Sequence, residues 1–300
     1  MVTNSFRTPV LMLLQRLRWY LVPIVAYVAG VSWLDIQFHL EEYNFPVSLV
    51  AVFGTVIGLV LAFRTNSSYG RWWEARTVWG AIVNDSRSWT RQLLEFTRAN
   101  NTTDQAVKAM AYRQIAWCYS LARTLRGQEP LQDVDDILDR AEIESYQGSL
   151  NVPNDLLLQQ AVELKRLYNE GHLELFQWVE LERTMVRLTN SMGGCERIKN
   201  TPFPLSYSRF IDVSIYVFVF FMPFGLFNVP AVALIVTSLV LSLAFLSIEQ
   251  VAIFLEDPFD NNPTDTPTLA LSRTIEINIR QMLGETSLPP KHQPVDGILM

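Results

Sequence analysis

The sequence predicts an all-α membrane protein with four transmembrane helices and a helical cytoplasmic region between the second and the third. Four long apolar stretches are nearly free of charge, and the middle of the chain is charged with helical periodicity. No stretch shows the alternation typical of strands. Charged residues make up 18% of the 300 residues, below the roughly 25% usual in soluble proteins.

The first two predicted spans cover residues 19–34 and 46–63. The second carries no charge, and as a helix it would extend for about 27 Å, close to the hydrocarbon thickness of a bilayer. The third and fourth predicted spans cover residues 213–226 and 229–248. Each is long or apolar enough to be read as a membrane helix rather than as a buried core helix.

Two stripes of residues run along the second span. One consists of small residues at every fourth position, which would let a neighbouring helix approach closely: Gly54, Gly58 and Ala62. The other lies about 100° around the helix and changes from weakly polar to aromatic: Thr55, Leu59 and Phe63. A close-packing face beside such a face is typical of a helix in the wall of a pore.

The charges that flank the spans predict an orientation. Basic residues lie before the first span, after the second and before the third. The loop at residues 35–45 carries acidic residues and neither Lys nor Arg. The positive-inside rule then places both termini and the middle region in the cytoplasm of a multi-pass inner-membrane protein.

This reading divides the chain into four parts. Residues 1–63 contain the N-terminal segment and the first two transmembrane helices. Residues 64–208 form a cytoplasmic helical domain, into which the second helix is expected to continue directly, and residues 209–250 contain the last two transmembrane helices. Helical periodicity marks three amphipathic faces in the cytoplasmic domain: Val107, Met110, Trp117 and Leu121; Leu157, Ala161, Leu164 and Tyr168; and Trp178, Leu181, Met185, Leu188 and Met192. Residues 251–300 form a cytoplasmic C-terminal segment.

The sequence offers no catalytic or nucleic-acid-binding pattern. It contains no P-loop, no Rossmann glycine pattern, no nucleophile elbow and no His-Glu-x-x-His, so we do not expect an enzyme. The net charge of −6 and the lack of a Lys/Arg run argue against nucleic acid as a partner. Cys118 and Cys195 follow no metal-ligand spacing, which predicts two reduced thiols.

Four motifs, in their order and spacing, resemble the bestrophin family of ion channels, including its bacterial members. They are Phe63-Arg-Thr-Asn-Ser-Ser-Tyr-Gly-Arg-Trp-Trp-Glu-Ala-Arg76, Gly193-Gly-Cys-Glu-Arg197, Thr201-Pro-Phe-Pro-Leu-Ser-Tyr207 and Glu256-Asp-Pro-Phe259. The resemblance extends from about residue 10 to residue 285. It covers most of the chain, and the joint occurrence of the motifs is specific.

The resemblance implies a homopentamer in membrane lipid, with one central pore for small monovalent ions. Carried over by position, Thr55, Leu59 and Phe63 would line a narrow neck about 12 Å long. The family usually has bulky apolar residues at all three positions, and Thr55 departs from that pattern. A second constriction, the cytosolic aperture, would be formed by Phe176.

The residues near the neck give conflicting signals about charge selectivity. The edge of the Phe63 ring is electropositive and favours anions, and Arg64 would attract anions if it faced the lumen. Glu41 and Glu42 at the outer mouth would attract cations. The bestrophin family contains anion channels and also a cation-conducting bacterial type, so the resemblance is compatible with either sign of permeant ion.

We expect an anion channel, chloride being the natural permeant ion, with a monovalent cation (sodium) channel as the first alternative. A secondary transporter is the second alternative, and it would predict an inverted repeat and ionisable residues at mid-membrane. The sequence leaves the gating stimulus and the physiological role open.

Animal bestrophins are similar in having a calcium clasp after the fourth span. The corresponding residues 256–265 have fewer consecutive acids, contain two prolines and fail the EF-hand pattern. The sequence therefore does not favour bound calcium, and we expect no cofactor. The acidic residues that could contribute to such a site are Glu256, Asp257 and Asp260.

Overall fold

The computed structural model describes residues 7–39, 46–97, 101–201, 203–294 and 298–299. These residues form helices and no β-strand, which confirms the predicted all-α class. The helices are α1 (Arg7–Phe38), α2 (Val47–Phe96), α3 (Asn101–Leu125), α4 (Arg140–Ser145), α5 (Val152–Asn169), α6 (Leu175–Asn200), α7 (Leu205–Phe221), a 3₁₀-helix (Met222–Leu226), α8 (Ala231–Glu256) and α9 (Thr268–Met282).

Four of the described helices are long and apolar enough to cross a membrane. Their segments are Leu13–Phe38, Val47–Phe96, Leu205–Leu226 and Ala231–Glu256. Each extends beyond the span predicted from the sequence, because helical hydrogen bonding continues where the apolar composition ends. The extension is largest in α2, which has 50 residues and no proline to interrupt it.

The chain divides into two compact units. One, called here the span unit, contains Val2–Trp72 and Pro202–Asp257. The other, called the middle unit, contains Trp73–Thr201 and Pro258–Met300. These divisions fall several residues away from the predicted domain borders. Hydropathy changes sharply after Phe63, whereas the chain stays packed within the span unit as far as Trp72.

The span unit has an apolar interior formed by residues from several helices. In it α1 packs against α8, and α7 and the 3₁₀-helix also contact α8. Leu17, Leu61, Ile211, Ile215 and Leu246 belong to one buried cluster. Most of the interior is therefore apolar, as expected of a bundle of membrane helices.

The middle unit is a helical assembly around large buried side chains. In it α3 contacts α5, α6 and α9, and α5 contacts α6. The faces predicted on α3, α5 and α6 are buried there: Trp117, Leu121, Leu164, Leu181 and Leu188 are almost fully shielded from solvent. The amphipathic periodicity of the sequence thus identified the core side of each helix correctly.

Both cysteines lie in the core of the middle unit as free thiols. Burial raises the pKa of the Cys118 thiol to about 12 and that of the Cys195 thiol to about 12, because the thiolate loses its hydration there. Neither thiol is ionised near neutral pH, so both are unreactive residues of the core.

We expect Leu121→Ala to lower the stability of the protein by about 2–5 kcal/mol, because it removes a fully buried side chain and leaves a cavity. The matched control is Leu158→Ala on α5, where the side chain is 60% exposed, with an expected change within about 0.5 kcal/mol. Thermal unfolding of the detergent-solubilised protein measures both. Equal midpoints for the two variants would contradict this description of the core.

Candidate pore-lining site

The residues predicted to line the neck lie on the exposed side of α2. Leu59 is 58% exposed, Phe63 is 61% exposed, and Thr55 is exposed as well. The opposite side of the helix is buried in the span unit through Ile57 and Leu61. A single chain therefore leaves this apolar stripe uncovered.

The hydroxyl group of Thr55 adds less polarity to the stripe than a free threonine hydroxyl would. Its hydroxyl donates a hydrogen bond to the carbonyl oxygen of Ala51, with Oγ1 2.8 Å from that oxygen. The hydroxyl proton is thus used within α2, and the oxygen lone pairs and the methyl group remain at the surface. Along the stripe, polarity falls from Thr55 to the aliphatic Leu59 and the aromatic Phe63.

The stripe of small residues is divided between two environments. A Cβ atom on Gly54 would lie 3.0 Å from Cε2 of Phe218 on α7, and one on Gly58 would lie 3.8 Å from Cε1 of Phe245 on α8. Ala62 is exposed. A spacing of four residues advances about 40° per step around a helix of 3.6 residues per turn, so the third position has turned away from the first.

A second close approach fixes α2 against the 3₁₀-helix. A Cβ atom on Gly225 would lie 2.7 Å from Cγ2 of Val50 and 3.7 Å from the Cα atom of Val47. No side chain fits at that position unless the Val50 side chain or α2 itself shifts. The beginning of α2 is therefore held by direct van der Waals contact.

Arg64 is buried and does not lie on the exposed stripe. It is 2% exposed, and its Nη2 atom lies 3.2 Å from Oε1 of Glu249 and 3.3 Å from Oε2 of Glu256. The guanidinium also lies 5.5 Å from the centroid of the Phe203 ring. Arg64 was expected to attract anions only if its side chain faced the lumen. Because the side chain is buried, that condition is not met. Glu41 and Glu42, the opposing signal, lie outside the described residues.

Glu256 has a second link to α2. The Nε atom of Arg71 donates a hydrogen bond to the Glu256 carbonyl oxygen at 2.8 Å. Together, Arg64 and Arg71 connect two points of α2, about two helical turns apart, to the end of α8. Removing one partner of a buried ion pair leaves the other charge uncompensated, at a cost of about 3–5 kcal/mol.

Sequence reasoning had not identified Glu249 as part of this region. It lies one residue beyond the fourth predicted span but well inside α8, and it is 2% exposed. The available signal was its position seven residues before Glu256 at the end of an apolar run. Seven residues are close to two helical turns, so both carboxylates lie on the same side of α8.

Phe176 lies in the first turn of α6, in the middle unit, and is 82% exposed. The start of this helix is fixed by a capping box, in which the Glu174 and Gln177 side chains bind each other's backbone N–H groups. The Phe176 ring is therefore presented on a defined helix end. Its role at an aperture stays a prediction.

The acidic residues considered for calcium have other contacts. Glu256 pairs with Arg64, and Oδ1 of Asp260 lies 3.4 Å from Nζ of Lys199. Asp257 is the C-cap residue that directly follows α8. Across the described ranges, no group of three or more His, Cys, Asp or Glu side chains is arranged to hold a metal ion.

Residues 6–281 match the family model described as Bacterial/Fungal Bestrophin protein. The chain belongs to the bestrophin family. This bestrophin is a multi-pass membrane protein by its four long apolar helices, and the match covers both units of the fold.

Two relatives and one solved structure illustrate the similarity. The chain is 33% identical over 271 residues to the voltage-dependent anion channel-forming protein RSc3414 of Ralstonia nicotianae, covering 90% of this bestrophin and 86% of that protein. It is 29% identical over 278 residues to the voltage-dependent anion channel-forming protein YneE of Salmonella typhi, covering 91% and 86%. A crystal structure of a bacterial bestrophin homologue from Klebsiella pneumoniae superposes with a TM-score of 0.83 at 27% identity, covering 90% of this chain and all of that one.

We expect alanine at two glycines of the span unit to lower stability to different degrees, and alanine at a third not to lower it. Gly225→Ala is the most damaging, because its Cβ meets the branched Val50, and Gly54→Ala costs less, because the Phe218 ring has to shift by only a few tenths of an ångström. Gly30→Ala on α1 is the control. Nothing lies within 4 Å of its added Cβ, and Ala gains up to about 1 kcal/mol of helix propensity. Melting temperatures in detergent in any other order would contradict the packing of α2.

Proposed function

We propose that this bestrophin forms a homopentameric channel that conducts small monovalent ions, chloride in preference to cations. The second apolar helix of each subunit would face a common axis, and Thr55, Leu59 and Phe63 would form the neck. The observation that carries the proposal is the exposed, uncharged stripe on α2. It lies opposite a face that the chain buries against itself.

The chemistry of the stripe supports conduction without tight binding. Leu59 and Phe63 offer no oxygen or nitrogen atom that could replace the water around an ion. Ions would pass such a neck with part of their hydration, or during intervals in which the neck is wet. Several copies around an axis would also cover the apolar surface that a single chain leaves exposed.

Two points support anions. Relatives that cover most of this chain are named as anion channel-forming proteins. The Phe63 ring, with its edge turned to the lumen, would place a weakly positive rim at the neck. Arg64 makes no direct contribution, since its charge is neutralised by Glu249 and Glu256.

The proposed setting is the inner membrane, with both termini in the cytoplasm. The arginines that follow and precede the apolar helices support this orientation. Exposed apolar side chains of the span unit, such as Val232 and Val240 on α8, would contact membrane lipid. Phe176 would form the second constriction, at the cytosolic end of the path.

We expect Leu59→Ala and Phe63→Ala to raise single-channel conductance in planar bilayers, because each removes a bulky ring of side chains from the neck. Phe63→Ala should also reduce the preference for anions. The control is Val240→Ala, an apolar side chain that is 59% exposed on α8 and outside the neck, with unchanged conductance. The neck is rejected if both stripe variants behave like the wild-type protein.

The charge of the permeant ion is tested by the reversal potential in a potassium chloride gradient. A shift toward the chloride equilibrium potential supports the proposed anion channel, and a shift toward that of potassium replaces it with the cation channel. Flux that saturates with substrate and shows no unitary current steps would instead indicate a transporter.

We propose that opening requires no bound calcium, and we expect chelation with EGTA to leave the open probability unchanged. The reason is that Glu256 is paired with Arg64 and Asp260 lies beside Lys199, so neither carboxylate is available as a ligand without breaking an ion pair. Asp260→Asn is the matched variant and should respond to added calcium in the same way as the wild type. A current that disappears in EGTA and returns with calcium would refute this.

A further inference from the structure

Arg64 directly follows Phe63 along α2, yet the two side chains lie in opposite environments. Phe63 is largely exposed, whereas Arg64 is buried. Successive residues of a helix are turned by about 100°, so the direction of one side chain determines that of the next. Whatever holds Arg64 therefore also determines where Phe63 points.

Two carboxylates on one side of α8 hold the Arg64 guanidinium. Glu249 and Glu256 are about 10.5 Å apart along the helix axis, and a single nitrogen atom, Nη2, contacts both at 3.2 and 3.3 Å. The side chains of Arg64 and Glu249 are each 3% exposed. The connection between α2 and α8 at this level is thus a buried ion cluster.

This cluster is held by charge more than by hydrogen bonds. Nε and Nη1 of Arg64 and both carboxylate oxygens of Glu249 have no hydrogen-bond partner among the described residues. A buried ion pair with unsatisfied groups is a poor source of stability, and apolar residues of similar volume often serve equally well. A buried charge does, however, oppose any movement that separates it from its partner, because the remaining charge would then be buried without compensation.

We infer that Arg64 is a positioning residue for permeation: its ion pairs with Glu249 and Glu256 fix the rotation of α2 that turns Phe63 to the lumen. The inference rests on the proposed function, because it requires Phe63 to lie in the neck. Arg64 itself does not touch the permeating ion. It acts through the next residue along the helix.

The first test is the single-channel conductance and the anion-to-cation permeability ratio of Arg64→Gln and Glu249→Gln. Each variant removes one charge of the cluster. The two variants are expected to agree with each other in the direction in which each of the two quantities changes. Each quantity is expected to change by about twofold or more, because residues that act through packed neighbours change coupling by at least about that factor. Arg64→Lys keeps the charge but loses the planar fork, so a smaller shift in the same direction is expected.

The second test separates positioning from general stabilisation. In a Phe63→Ala background, Arg64→Gln is expected to cause no further change in permeation, because the side chain through which it acts is gone. The matched control is Arg91→Gln on the same helix. It breaks an exposed ion pair with Glu95 and should leave permeation unchanged in either background.

Several outcomes would overturn the positioning role. One is wild-type permeation in an assembled Arg64→Gln channel, and another is an equal shift with and without the Phe63 ring. If Arg64→Gln does not assemble, Arg64→Lys is judged by the same two criteria. If Leu59→Ala and Phe63→Ala leave permeation unchanged, the neck itself is wrong. If those two variants alter permeation and the assembled Arg64 variants do not, only the positioning role fails.

Discussion

The two-sided character of α2 is the constraint on which the rest of the structure depends. Ile57, Leu61 and Arg64 are buried by the same chain, whereas Leu59 and Phe63 are exposed. In a bilayer the buried side cannot turn outward without exposing a charged guanidinium to hydrocarbon. The exposed side is therefore fixed as well, and it becomes a surface that only another molecule, lipid or the water of a pore can cover.

Different forces hold the two ends of the part of α2 that lies in the span unit. Near its start, the Gly225 backbone lies against Val50 and Gly54 lies against Phe218, and these contacts act only at van der Waals distance. Near residue 64, the Arg64 guanidinium is attracted to two carboxylates of α8, and this attraction falls off with distance more slowly than van der Waals contact does. Contact packing resists small displacements sharply, whereas a buried ion cluster resists any movement that separates its charges.

Hydropathy and periodicity predicted a large part of the fold, but not the ends of its elements. The apolar runs identified the four long apolar helices, and the face with Trp117 and Leu121 lies in the core of the middle unit. The predicted continuation of the second helix into the middle region is confirmed, since α2 runs to Phe96. Hydropathy alone ends it at Phe63, because hydropathy measures transfer to lipid and a helix continues wherever its backbone bonds are satisfied. Thr55, Leu59 and Phe63 could be grouped from their spacing, since a helix brings those positions to one side.

The sequence by itself determined the all-α class, the apolar helices, the amphipathic faces and membership of the bestrophin family, because composition and local periodicity carry that information. The tertiary structure alone decided that Arg64 is buried and that Glu249 belongs to its environment. The contact between Arg64 and Glu256 joins residues 192 positions apart. An arginine after an apolar run is equally compatible with a lumen, a lipid headgroup or a buried carboxylate, and only the placement of α8 beside α2 selects among them.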